Sequence, residues 1–175
     1  MNVRQTALTT LTRCDRDGSY SNLALDAAIK AGNFSPADRG LLTALVYGVI
    51  ERRMTLDYLI DRLSDRKPDQ IDPQVRNILR LGLYQLRYMD RIPPHAAINE
   101  SVSLASRKSA GFINALLRAY QRRSKEITLP TKEDGILSYL SVRYSFPIRF
   151  VNVSYAFLAR NVQNACWPPL RYSRL

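Results

Sequence analysis

A chain of 175 residues with 46% hydrophobic content is long enough for one well-buried core and too apolar to remain disordered. Its 26 lysines and arginines face only 15 aspartates and glutamates, a formal charge of +11 that points to a polyanionic partner, nucleic acid foremost. The two cysteines, Cys14 and Cys166, exclude a disulfide framework and a CxxC zinc site, and no run approaches the ~20 apolar residues of a membrane span. A cytoplasmic protein with no membrane contact is the resulting expectation.

The dominant period is helical. Val3, Ala7, Leu8, Leu11 and Cys14 form one stripe of a first helix, which Asp15 to Ser19 interrupts. Leu23, Ala24, Ala27, Ala28 and Ala31 predict a second, ending at Gly32-Asn33. Ser35-Pro36-Ala37-Asp38 supplies a hydroxyl N-cap, a proline at the first helical position and a carboxylate at the third. The periodic run behind it, Leu42 to Leu63, predicts one long helix stopped by Lys67-Pro68, and Gly48 inside it implies close packing by a neighbour. Asp72-Pro73 starts a fourth helix that buries Val75, Ile78, Leu79, Leu83 and Leu86. Ile92-Pro93-Pro94 breaks the chain before a fifth helix carrying Ile98, Val102 and Ala105. A sixth, after Ser106 to Ser109, buries Ile113, Leu116, Leu117 and Tyr120. Six helices with short loops make an all-α bundle. Residues 128–135 read as a linker and 136–144 as a short helix. From Ile148 to Leu175 there is no acidic residue and no period, and no structure is assigned to that tail.

No constellation for catalysis emerges. The 7 glycines form no phosphate loop, and His95 is the only histidine, so neither a His-based metal site nor a His pair exists. His95, Asn99 and Glu100, just inside a helix begun by Pro94, read as N-terminal hydrogen-bonding groups. The cations say more. Six lysines and arginines and no acid lie between Ser101 and Lys125, and Arg118, Arg122 and Lys125 share the stripe opposite the apolar one. With no acidic partner one turn away, they suit phosphate contact, and Arg123 lies beside them. Arg13 and Arg16 reach solvent near the end of the first helix and, with Arg123, complete the expected RNA-phosphate contacts. Arg4 falls within the apolar face, so it should bridge to a carboxylate such as Glu51 or Glu100. Arg4, Asp38, Asn99, Glu100 and Asn114 are accordingly structural polar residues.

Several ordered segments carry a resemblance. They are Asp38-Arg39 with Leu45 to Val49, Leu56 to Ile60, Leu79 to Leu86, Ile92 to Glu100, and Gly111 to Arg118. Together they resemble NusB-like domains, and more closely the N-terminal domain of bacterial rRNA cytosine-C5 methyltransferases (the Sun/Fmu type) than the free-standing antitermination factor. The resemblance extends to Arg143-Tyr144-Ser145-Phe146-Pro147. It implies a NusB-like RNA-binding domain over residues 1–125, a linker and short helix over 126–147, and a tail unlike the family over 148–175. It also implies that the S-adenosylmethionine-binding half, with its glycine-rich loop and paired cysteines, is missing here. A module that docks ribosomal RNA, without cofactor and without activity of its own, is the expected function. The alternative is an antitermination factor binding single-stranded RNA and a partner protein.

Overall fold

The computed structural model describes residues 2–18, 20–147 and 150; the tail from 151 onward, with Cys166, lies outside the described residues. Among the described residues there are eight α-helices and no strand: α1 (Val3–Asp17), α2 (Ser21–Ala31), α3 (Pro36–Glu51), α4 (Arg53–Leu63), α5 (Pro73–Tyr88), α6 (Pro94–Ser103), α7 (Ala110–Arg123) and α8 (Ile136–Tyr144), with a short 3-10 turn at Pro68–Gln70.

The starts follow from local chemistry. Ser35 Oγ accepts from Asp38 N at 3.1 Å ahead of Pro36, and Asp72 Oδ1 accepts from Gln74 N at 2.8 Å ahead of Pro73. Each satisfies donors that the first turn leaves without an intrahelical partner. Asp38 departs slightly from a capping box: its carboxylate accepts from the Ser35 hydroxyl at 2.7 Å.

One expectation fails. The long third helix is two helices, because Arg52 leaves helical geometry (φ −101°, ψ 16°) and ends α3 while opening α4. The new start is braced by partners far away in sequence, one through a first-turn amide and one through a side-chain hydroxyl. Met54 N donates to Ser145 Oγ at 2.8 Å, and the Thr55 hydroxyl donates to the Val142 carbonyl at 2.5 Å. Both acceptors belong to α8 or its C-terminal end, so this segment packs against α4.

α5 is the central helix. Its residues Asn77 to Leu83 are buried without interruption, as a helix covered on nearly all sides must be. It packs against α1, α3, α4, α6 and α7. Two glycines permit close approach. Tyr84 of α5 lies directly on Gly48 of α3, and a side chain at Gly82 would meet Leu117 of α7 at 2.7 Å. α2 is peripheral, touching α1 and α3. α2 accordingly buries Ala24 and Leu25 and leaves Leu23 63% exposed.

Candidate nucleic-acid interface

α7 places the cations. Ile113, Leu116, Leu117 and Tyr120 are all buried, each fixed by roughly 1.5–3 kcal/mol of apolar burial. That orientation turns Arg118 and Arg122 outward, with Lys125 just past the helix end, all three exposed. Arg118 Nε donates to Asn114 Oδ1 at 3.0 Å, which steers the guanidinium along the helix. Arg123 is partly neutralised, with Nε 3.3 Å from Glu126 Oε2. Among the described residues no carboxylate pairs with Arg118, Arg122 or Lys125.

Beside this stripe the C-terminal ends of α5 and α7 leave a cleft holding Arg87, Tyr88, Pro94, Tyr120 and Lys125. Arg87 Nη1 donates to Tyr120 Oη at 3.2 Å, and the guanidinium carbon of Arg87 lies 5.7 Å from the Tyr88 ring centre. Burial opposes the Arg87 charge, but the hydroxyls of Tyr120 and Tyr88 outweigh it and hold the cation more firmly than usual. Sequence reading passed over Arg87, because an arginine in a last helical turn looks like ordinary compensation of the carbonyl pole.

Arg13 and Arg16 lie elsewhere. α1 runs antiparallel to α5, since Arg4 meets Gln85 while Asp15 meets Asn77 and Arg80. α7 runs parallel to α5, since Leu117 faces Gly82 and Tyr120 faces Arg87. The C-terminal end of α1 and that of α7 are thus at opposite ends of the bundle. Arg13 and Arg16 also share one carboxylate, Asp17, at 3.8 and 2.7 Å.

The polar residues expected to be structural are distributed as follows. Arg4 is mostly buried; its Nε donates to Gln85 Oε1 at 2.8 Å and Nη1 lies 3.9 Å from Glu100. Glu51, the other carboxylate offered to it, pairs instead with Arg52 at 3.2 Å. Asn99 and His95 are exposed on α6.

The largest polar feature was missed by sequence reading. Asp57 of α4 accepts from Arg80 through both carboxylate oxygens at 2.8 Å and from Arg76 Nε at 2.9 Å. Arg80, only 6% exposed, also reaches Asp15 of α1 at 3.2 Å, and Asp15 in turn pairs with Arg53. Arg76 takes Asp61 as a second partner at 2.5 Å. Burial alone would raise the Asp57 carboxyl; the Arg80 and Arg76 guanidiniums overcome this and hold it below the usual carboxylate range. The pattern was visible in principle: Asp57 and Asp61 are four apart, as are Arg76 and Arg80, and Arg80 stands among leucines as Arg4 does. These three acids and three arginines balance one another, so they join α1, α4 and α5 and offer little charge to a ligand.

Cys14 is half-buried beside this network. Burial, and then the Asp15 charge, push its thiol above the usual range, which makes it a poor nucleophile.

Comparison with known proteins agrees with this architecture. The NusB family profile matches residues 1–122. The chain is 40% identical over 84% of its length to a probable ribosomal RNA small subunit methyltransferase B of Synechocystis, a match too long to stop at residue 122. It is 41% identical over 69% of its length to the corresponding probable enzyme of Bacillus subtilis. It spans only 33% and 28% of the length of those two relatives. Among solved structures, NusB from Aquifex aeolicus superposes with a TM-score of 0.60 at 23% identity, covering 74% of this chain and 92% of that one. A complex of the antitermination factors NusB and NusE with double-stranded RNA gives 0.61 at 24% identity, covering 69% and 94%. With an all-helical bundle on which these structures superpose and a family match over most of its length, the chain belongs to the NusB family.

Proposed function

We propose that this chain is the RNA-docking module of a small-subunit rRNA methyltransferase, binding ribosomal RNA in the cytoplasm and transferring no methyl group by itself. The observation that carries the reading is the 40% identity over 84% of the chain to a probable methyltransferase of that class. The electrostatics support it: Arg118, Arg122 and Lys125 form an exposed stripe without carboxylate partners, suited to backbone phosphates. Arg123 flanks the stripe, and Arg13 and Arg16 make secondary contacts at the other end of the bundle. That the chain transfers no methyl group by itself is supported by coverage, since it spans only 33% and 28% of the length of the two methyltransferases it matches. Among the described residues no helix is long and apolar enough to cross a membrane. Antitermination is the less supported function, since NusB structures are matched at 23–24% identity, well below the methyltransferases.

Retention of a labelled small-subunit rRNA hairpin on filters tests this. Three phosphate contacts give a log–log salt slope near −2.7, so affinity should fall about 40-fold between roughly 50 and 200 mM salt. Salt-independent retention, or better competition by a single-stranded leader RNA than by the rRNA hairpin, would refute the docking role. Incorporation of label from S-adenosylmethionine should stay at background, and turnover would refute the catalytic half of the proposal.

A further inference from the structure

The cleft between the ends of α5 and α7 is an open groove of about 500 Å³, lined by Leu86, Arg87, Tyr88, Pro94, Tyr120 and Lys125. That volume lies in the range of pockets that hold a nucleotide-sized group. Arg87 is the anomaly within it. Its guanidinium is partly buried, yet among the described residues no carboxylate pairs with it. Its company is a phenol hydroxyl at 3.2 Å and the π face of Tyr88. A guanidinium has five N–H donors in a planar fork, and such a fork matches the two oxygens of a phosphate. The carbonyl pole of α5 supplies only about half an elementary charge, so a surplus of positive charge remains. Lys125 stands unpaired at the mouth and adds to it. Leu86 and Pro94 provide an apolar wall of the kind a ribose can rest against.

We propose that this cleft is a phosphodiester-binding subsite. Arg87 takes a backbone phosphate within the cleft, Lys125 meets it from α7, and Tyr120 is the positioning residue that aims the Arg87 guanidinium. The inference rests on the RNA-docking reading and extends the contact from the outer stripe of α7 into the bundle.

The test measures retention of the same rRNA hairpin across a salt titration for wild type, Arg87→Gln, Lys125→Gln, Tyr120→Phe and Arg118→Gln, with thermal melts to verify folding. Arg87→Gln should weaken binding roughly tenfold and lower the salt slope by about one, as loss of one phosphate contact requires. Lys125→Gln, at an exposed site where folding is not at stake, should lower the slope by a similar amount. Tyr120→Phe keeps every charge, so affinity should fall several-fold with the slope intact. Wild-type affinity and slope in all three cleft variants, with Arg118→Gln alone impaired, would overturn the subsite and leave the docking role standing. Failure of the wild type to bind would overturn both. If the cleft variants lose only the capture of polyglutamate, the occupant is an acidic protein segment and the proposal falls.

Discussion

Replacing Asp57 by Asn removes one negative charge from the centre of the buried network and almost no volume. Asp57 is 19% exposed, and its partners Arg80 and Arg76 are 6% and 13% exposed, so solvent cannot take over the compensation. Removing one partner of a buried ion pair costs about 3–5 kcal/mol, because the remaining charge stays desolvated. The lower end applies, since Arg80 keeps Asp15 at 3.2 Å and Arg76 keeps Asp61. A loss of about 3 kcal/mol corresponds to roughly 6–12 °C in Tm for a protein of this size. Urea unfolding followed by helical circular dichroism gives the free energy directly, with Asp61→Asn as the control. Asp61 is 37% exposed, so its pair should be worth no more than about 1 kcal/mol. If the two variants lose the same small amount, the network is not structural. The double variant Asp57→Leu/Arg80→Met supplies a second check: apolar groups in place of the pair should recover most of the loss.

Acidification tests the same network. The folded-state Asp57 carboxyl titrates below its unfolded value, so its contribution is complete above about pH 4 and is lost as pH falls through the depressed value. In Asp57→Asn the fall in stability across that window should be shallower, which pH-dependent urea titrations will show. Gly82→Ala gains about 1 kcal/mol of helix propensity and incurs about 1–3 of overpacking. The added methyl would meet Leu117 at 2.7 Å and Ser101 at 3.0 Å, so net destabilisation in thermal melts is expected, and a more stable protein would contradict the packing described. Arg4→Ala leaves the buried Gln85 carbonyl oxygen without its 2.8 Å donor, so stability should fall by about 1–3 kcal/mol. Unchanged melting with weakened RNA retention would make Arg4 a binding residue instead.

Much of the bundle could be read from the chain because it is written in local chemistry. Ser35-Pro36 and Asp72-Pro73 are helix starts whatever follows them, and the buried face of α7 is the one its period marks. What escaped depends on distant partners. The break at Arg52 is closed by Ser145 and Val142, about ninety residues away in sequence, and no local pattern announces them. Leu23 helped mark the second helix, but its exposure depends on where α2 sits, packed against α1 and α3 at the edge of the bundle. The interface divides in the same way. Arg118 and Arg122 follow from the helical wheel, whereas Arg87 becomes notable only when Tyr120 and Lys125 arrive beside it from another helix. Arg13 and Arg16, also expected to contact phosphate, are set at the opposite end of the bundle by the antiparallel course of α1.

Asp15 ties the last turn of α1 to Arg80 and Arg53, which lie on the central helix and on α4. Terminal helices commonly open on their own, and their amides exchange with solvent long before the rest of the protein does. Here, peeling α1 away would strip Arg80 of one of its two carboxylates inside the core, so the helix is locked to the body at its C-terminal end. Amides around Asp15 should therefore exchange late, and so should those of the first turn, which Arg4 pins to Gln85 of α5 and Glu100 of α6. Tied to the body at both ends, α1 behaves as part of the cooperative unit.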